Sequence, residues 1–271
     1  MPYAEVNGLS LYYELHGQGP PICLVEGIGY ASWLWRSQIG PLSAKHQVLL
    51  FDNRDVGKSD RASRPYTTRE LADDVAGLLN TLGIERAHLL GVSMGGFVVQ
   101  EFALAYPGRA LSLILVGTLF GGKDIIPIPT ETQRQLIPDR SLSPEGRLRA
   151  AMTLAFAPGY ADGHPELLDE IVQARLPHLQ PREAWLRQVG ASFGFDVSQK
   201  LGAIAAPTLV VHGDQDRVVP VENGRLLASR IPGAELQILA GGGHLVLIEQ
   251  ATRFNQLVLD FLSRTAANPR F

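Results

Sequence analysis

One serine of the chain lies where it could act as a nucleophile. An apolar strand pattern over 87–92 runs into Gly91-Val-Ser93-Met-Gly95, and a helix pattern follows at once. A sharp turn from strand to helix holds such a serine clear of the sheet and leaves no room for a side chain two positions away, so both glycines would be steric requirements. The pentapeptide alone is also compatible with a phosphate cradle or a plain tight turn.

A serine nucleophile needs a base, and the base needs an acid that orients it. His244 comes after a predicted strand and three glycines, while Asp214 and Asp216 follow the preceding predicted strand. Either aspartate could be the acid on residue type alone. We expect structural roles for the other histidines, His212 included, because none has an acid at a recognisable spacing.

Strand and helix patterns alternate along the chain and must position these residues. A hairpin over 5–16 turns at Asn7-Gly8. Short apolar runs typical of strands buried on both faces lie at 22–25, 48–51, 87–92, 111–116, 208–211 and 236–239. A capping box begins a helix at Thr67, and a last helix covers about 248–263. The alternation predicts an α/β sheet wound by crossover helices.

One segment, from 121 to 198, contains no strand-like run. Pro and Gly separate helical stretches there, at 145–156, 165–176 and 181–193. We therefore expect a core domain of residues 1–120 and 199–271 that carries a helical cap of residues 121–198. Since ligands bind at the carboxyl ends of the strands in open α/β sheets, the cap would roof the site.

The chain order of nucleophile, acid and histidine, with Ser93 first and His244 last, is that of the α/β-hydrolases. With Glu26-Gly27 after an early strand and Asp52-Asn-Arg54, the sequence resembles that superfamily over essentially its whole length. The resemblance implies a mostly parallel, eight-stranded sheet flanked by helices, with a helical cap insertion. It also favours Asp216 as the acid, because in relatives the acid directly precedes a turn such as Arg-Val-Val-Pro.

The resemblance implies an oxyanion hole made by the backbone N–H groups of Met94 and Ile28. Gly27 matches the family pattern, but Glu26 stands where relatives commonly carry His. A carboxylate there would oppose developing negative charge unless it were protonated or paired with a cation such as Arg54. We expect the paired arrangement and keep a tuned, protonated carboxyl as the alternative.

A second departure is Asp55, where relatives often have Gly after the Arg. In this short loop the chain is similar to anthracycline methylesterases. We nevertheless expect a surface turn in which Asp55 bonds its own backbone.

The segment Gly91–Gln100 resembles 3-oxoadipate enol-lactonases and general carboxylesterases, and leaves the substrate open. Aromatic residues could form an apolar pocket; our candidates are Trp33, Trp185, Phe120 and Phe156. An enol-lactonase would also need a cation for its substrate carboxylate; the candidates are Arg134, Arg140, Arg149, Arg182 and Arg187. We expect these arginines to be solvated and favour a small to medium, largely apolar substrate.

The implied reaction is cleavage of a carboxylic ester or lactone. His244 would deprotonate Ser93, which attacks the carbonyl, and water would then cleave the acyl-enzyme. The same side chains also support hydrolysis of a carbon–carbon bond, cofactor-free perhydrolysis through a peracid, or a receptor with slow turnover. These alternatives stay open at the level of sequence.

Composition argues against other classes of protein. The net charge of the 271 residues is −3, without a basic patch that would bind nucleic acid. The sequence has no metal-binding motif such as His-Glu-x-x-His, and we expect neither a metal nor a cofactor. The single cysteine, Cys23, excludes an internal disulfide. With neither a signal-peptide pattern nor a membrane-length apolar run, we expect a cytoplasmic monomer or small homo-oligomer whose partners are the substrate and water.

Overall fold

The computed structural model describes residues 2–137, 139 and 141–267. Eight strands form one sheet in the order β1-β2-β4-β3-β5-β6-β7-β8. The first three strands in that order pair antiparallel and all others parallel. The strands are β1 (Tyr3–Val6), β2 (Leu9–His16), β3 (Pro21–Val25), β4 (Gln47–Phe51), β5 (Ala87–Val92), β6 (Ala110–Val116), β7 (Thr208–Gly213) and β8 (Glu235–Leu239). The predicted mostly parallel, eight-stranded sheet is confirmed.

Helices cover the sheet and link its parallel strands. They are α1 (Arg36–Ser43), α2 (Thr68–Thr81), α3 (Met94–Ala105), α4 (Thr130–Leu136), α5 (Pro144–Ala155), α6 (Tyr160–Gly163), α7 (Pro165–Arg175), α8 (Arg182–Phe193), α9 (Val221–Arg230), α10 (Val246–Glu249) and α11 (Ala251–Ala267). The capping box is present at α2, where Thr67 accepts from the Glu70 N–H and Glu70 accepts from the Thr67 N–H.

Successive side chains of the central strands point to opposite faces of the sheet, and an apolar layer covers each face. In β3, Cys23 and Val25 face one buried cluster, while Ile22 and Leu24 face the other. This is why the central strands read as continuous apolar runs. The first hairpin turns at Asn7 and Gly8, whose φ angles are 51° and 78°, as a two-residue type I′ turn requires.

Helices α4 to α8 lie between β6 and β7 in the chain and form what we call the helical insertion, residues 121–198. An isolated antiparallel bridge joins Gly121 to Asp196 and brings its two ends together. Helices α5, α7 and α8 fall within about a residue of the predicted stretches. No helix in the described ranges is long and apolar enough to cross a membrane.

Candidate active site

Ser93 lies between β5 and α3 in a strained backbone conformation, with φ 54° and ψ −120°. Its carbonyl accepts from Thr118 Oγ1 at 2.8 Å and its N–H donates to Val116 O at 2.9 Å, which holds the turn in place. A Cβ on Gly91 would overlap the Gly95 carbonyl, and one on Gly95 would overlap the Val25 carbonyl. The turn thus requires both glycines and presents a half-buried serine at the carboxyl edge of the sheet.

Asp216 and His244 meet at the same edge. His244 Nδ1 is 2.8 Å from Asp216 Oδ2. The other carboxylate oxygen accepts from the N–H groups of Val218 and Val219, each at 2.8 Å. Asp214 instead accepts from the Gly241 N–H at an exposed position. The structure therefore brings Asp216, and not Asp214, to the histidine.

The environment of Asp216 keeps its carboxyl ionised. Burial alone would raise its pKa, but the charge of His244 and the hydrogen bonds of His212 and His244 outweigh burial and hold the pKa well below its ordinary value. An ionised acid beside Nδ1 fixes the ring so that Nε2 is the nitrogen left free for proton transfer.

His212 is a contact that the sequence analysis missed. It ends the apolar part of β7, is fully buried, and places Nε2 2.9 Å from Val219 O and 3.3 Å from Asp216 Oδ2. The available signal was a histidine four residues before the aspartate at the end of a strand. His212 Nε2 thus contacts the same carboxylate oxygen, Asp216 Oδ2, as His244 Nδ1 does.

The loop of residues 26–29, which follows β3, passes directly beside the serine. A Cβ on Gly27 would lie 3.1 Å from Ser93 Cβ and 3.7 Å from Ser93 Oγ. Met94 is the first residue of α3, where N–H groups have no partner within the helix. In the described part of the chain, neither the Met94 nor the Ile28 N–H has a hydrogen-bond acceptor. Two free donors are therefore available near Ser93.

The expected pairing of Glu26 with Arg54 is wrong. Arg54 instead makes two 2.6 Å hydrogen bonds to Asp74 of α2. Glu26 is fully buried, and its Oε1 accepts from the Asn53 N–H at 2.7 Å. Burial, and then the charge of Asp52, raise the pKa of Glu26 well above its usual range. The alternative of a tuned, protonated carboxyl is the one that fits.

The expected surface turn at Asp55 is also wrong. Its carboxylate is fully buried and accepts from Arg187 Nε at 2.8 Å, Arg187 Nη2 at 2.7 Å and the Ala62 N–H at 3.0 Å. Arg187 belongs to α8, so this bidentate pair fastens the helical insertion to the loop after β4. It also occupies one of the arginines considered for a substrate carboxylate.

The other candidate arginines are paired with carboxylates, exposed, or outside the described residues. Arg149 pairs with Glu145 and Asp169, and Arg134 lies 3.5 Å from Glu131. Arg182 is exposed at the start of α8. Arg140 lies outside the described residues.

The four aromatic pocket candidates fall in different surroundings. Phe120 and Phe156 are fully buried in the two apolar clusters, and Trp185 is half-buried on α8. Trp33 packs against Tyr30 with the two rings tilted by 34°. It lines a cavity of about 210 Å³ between the insertion and the core, and Ser93 is not among the lining residues. Their role in a substrate pocket stays a prediction.

The described residues contain no group of three or more His, Cys, Asp or Glu side chains that could hold a metal ion. The groups that the structure shows at this edge of the sheet are the Ser93 hydroxyl, the His244–Asp216 pair and backbone N–H groups without an acceptor. Such groups can add a hydroxyl to a carbonyl and stabilise the resulting oxyanion.

Comparison with known proteins places this geometry in context. The family model of the alpha/beta hydrolase fold matches residues 20–251. A protein of Azorhizobium caulinodans, provisionally named carbamate hydrolase RutD, is 32% identical over 96% of this chain and 98% of its own. The 2-hydroxy-6-oxononadienedioate/2-hydroxy-6-oxononatrienedioate hydrolase of Paraburkholderia xenovorans is 35% identical over 95% of this chain and 88% of its own. The crystal structure of the enol-lactonase from Burkholderia xenovorans superposes with a TM-score of 0.86 at 30% identity, over 97% of this chain and all of that one.

Proposed function

The chain belongs to the alpha/beta hydrolase family, and from that premise we propose that it is a serine hydrolase that cleaves a carboxylic ester or a lactone through an acyl-enzyme. The observation that carries the proposal is the 2.8 Å contact between His244 and Asp216 at the sheet edge where Ser93 stands. A buried, ionised carboxylate on Nδ1 is what an imidazole needs to act as a general base through Nε2.

In the proposed reaction, His244 Nε2 takes the proton of Ser93 Oγ as this oxygen attacks the carbonyl carbon. The N–H groups of Met94 and Ile28 bind the oxyanion of the tetrahedral intermediate. The imidazolium then protonates the leaving alcohol, which in a lactone stays attached as a hydroxyl of the acyl chain. Water, deprotonated by His244, attacks the acyl-enzyme and releases the carboxylic acid and free Ser93.

The helical insertion is proposed to act as a cap over this site. It contacts the 26–29 loop beside Ser93 through Gln188 on Gly29, and the loop after β4 through Arg187 on Asp55. Water exclusion under such a cover strengthens electrostatic stabilisation of the oxyanion. The proposed partners are a small-molecule ester or lactone and water.

Similarity to the dienedioate hydrolase supports a second candidate. The compounds in that protein's name contain no ester, so hydrolysis breaks a carbon–carbon bond after addition of water or Ser93 to a ketone. Similarity to the provisionally named carbamate hydrolase supports a third substrate type, which the same acyl-transfer steps would cleave. The substrate class is therefore tested with a panel of compounds from each of these classes.

The first test is covalent labelling by a fluorophosphonate probe, with the labelled peptide identified by mass spectrometry. We expect labelling at Ser93, loss of labelling in Ser93→Ala, and unchanged labelling in Ser229→Ala, whose exposed hydroxyl bonds Leu226 O on α9. An unlabelled wild type would argue against an activated serine.

Hydrolysis rates on p-nitrophenyl esters, lactones, carbamates and a dienedioate ring-fission product then separate the candidates. We expect ester or lactone turnover to exceed turnover of the ring-fission product by at least about tenfold, because the site offers an acyl-transfer geometry. Carbamate turnover should also be slower, because nitrogen donation makes a carbamate carbonyl less electrophilic than an ester carbonyl. Faster cleavage of the ring-fission product would favour the carbon–carbon hydrolase instead.

A further inference from the structure

Both backbone polar groups of Gly29 are bound by side chains of the helical insertion. The Gly29 N–H donates to Gln188 Oε1 at 2.9 Å, and its carbonyl accepts from Arg175 Nη2 at 3.0 Å. Gly29 has a φ of 70°, in the left-handed region. It directly follows Ile28, whose N–H is one of the proposed oxyanion donors. The Ile28 N–H lies in the Gly27–Ile28 peptide unit, and the insertion binds the next two peptide units along the chain.

Gln188 is built to hold this contact. Its side chain is fully buried, and Oε1 also accepts from Gln180 Nε2 at 3.0 Å, which fixes the amide. The preceding residue, Arg187, makes the bidentate pair with Asp55. Two successive residues of α8 therefore fasten the helix to two core loops, of which the 26–29 loop lies beside Ser93.

Arg175, at the end of α7, brings a positive charge to the other side of the loop. Its guanidinium lies 4.7 Å from the ring centre of Tyr30 and 5.3 Å from that of Trp33, and Nη1 contacts Met152 Sδ at 3.3 Å. No carboxylate of the described residues forms an ion pair with it, in contrast to Arg187 and Arg149 on the same insertion. A cation without a counter-ion at the 26–29 loop would favour negative charge that develops beside this loop.

We propose that Gln188 and Arg175 are positioning residues for the 26–29 loop, and that docking of the helical insertion thereby completes the oxyanion hole. On this proposal the insertion contributes to the chemical step and not only to substrate binding. The inference rests on the proposed function, because it assumes that Ile28 N–H binds an oxyanion on an adduct of Ser93.

The test uses Gln188→Leu, which removes the acceptor but keeps the volume, and Arg175→Met, which removes the charge and the donor. Arg175→Lys restores the charge. The matched controls are Gln173→Leu and Arg182→Met, at exposed positions of α7 and α8. Each variant is checked for folding by circular dichroism before kinetics.

Two readouts report on the oxyanion hole and one on ground-state binding. They are kcat on a p-nitrophenyl ester, the inhibition constant of a trifluoromethyl ketone that forms a tetrahedral adduct with serine, and KM. We expect Gln188→Leu and Arg175→Met to lower kcat and ketone affinity by about 10- to 100-fold, with KM changed less than about threefold. Arg175→Lys should recover most of the loss, and both controls should stay within about twofold of wild type.

The inference is overturned if both variants keep kcat and ketone affinity within about threefold, or if only KM rises, since the insertion would then act in binding alone. If one variant fails to fold, the other still tests the hold on Gly29, because Gln188 binds its N–H and Arg175 binds its carbonyl. A wild type that neither reacts with the fluorophosphonate nor hydrolyses esters refutes the proposed function instead, so the two failures are distinguishable.

Discussion

The ion pair between Asp55 and Arg187 offers a test of how the helical insertion is attached, independent of any substrate. The pair has two hydrogen bonds of 2.7 and 2.8 Å, and the side chains are 0% and 18% exposed. Replacement of Arg187 by Met keeps the aliphatic packing of the side chain but leaves Asp55 with only the Ala62 N–H as a described donor. The loop charge then lies buried and largely uncompensated.

The size of the effect follows from burial. Removal of one partner from a fully buried pair costs about 3–5 kcal/mol, whereas an exposed pair contributes about 0–1 kcal/mol. Because Arg187 is partly exposed and Asp55 keeps one donor, we expect Arg187→Met to lower the free energy of unfolding by about 2–3 kcal/mol. Asp55→Asn should lower the free energy of unfolding by a similar amount, because it removes the same ion pair. Asn tolerates the positive φ of 74° at this position, so no backbone strain is added. The double variant should be less destabilised than the sum of the two by about 2 kcal/mol.

The assay is urea unfolding of wild type, both single variants and the double variant, with Arg182→Met as an exposed control on the same helix. Limited proteolysis of the insertion gives an independent readout of its docking. A coupling energy below about 0.5 kcal/mol, or one that largely disappears in about 1 M salt, would refute the reasoning, because a desolvated pair is screened little.

Three further outcomes test the site and its surroundings. Asp216→Asn should lower kcat by about 10³- to 10⁴-fold with little change in KM, measured by ester hydrolysis, while Asp214→Asn stays near wild type. Glu26→Gln should keep at least about a tenth of the activity at pH 7. Because burial and Asp52 raise the pKa of Glu26, the wild type loses stability as pH rises from the ordinary carboxyl range through the raised pKa, and urea unfolding over a pH series should show a smaller loss in the variant. Burial, and then the charge of His46, lower the pKa of His88 to about 4. The free energy of unfolding of the wild type should therefore fall by about 3 kcal/mol as pH drops from about 6.5 to 4, because the unfolded chain takes up a proton at His88 more readily than the folded protein. In His88→Gln, urea unfolding should show a smaller fall over the same pH range.

The fold could be predicted from sequence because its signals are local. Apolar runs such as 22–25 and 48–51 are strands with partners on both sides, and the capping box at Thr67 begins α2 where expected. The serine turn at 91–95 is local too, since its glycines are required by contacts within and next to the turn. Periodicity and steric rules read over ten residues are sufficient for features of this kind.

The ion-pair partners could not be predicted because they are set by packing between distant segments. Arg187 lies 132 positions from Asp55, and only the placement of α8 over the loop after β4 brings them together. Arg54 is near Glu26 in the predicted architecture, but Asp74 on α2 offers a bidentate partner that Glu26 does not. The sequence shows which charged residues are present, but the packing of helices on loops determines which of them form ion pairs.

Protonation of Glu26, which burial and Asp52 favour by raising its pKa, would reconcile this carboxyl group with the proposed oxyanion hole. A carboxylate at the start of the 26–29 loop would raise the energy of an oxyanion held by Ile28, and full burial beside Asp52 would also make that charge costly in the resting protein. Both costs disappear when the group is protonated, and Oε1 still accepts from the Asn53 N–H. Glu26 then holds the loop from the core side, while Gln188 and Arg175 hold it from the insertion. The positive charge of Arg175 is consequently left without an opposing carboxylate at the loop, which is the electrostatic arrangement that favours an oxyanion.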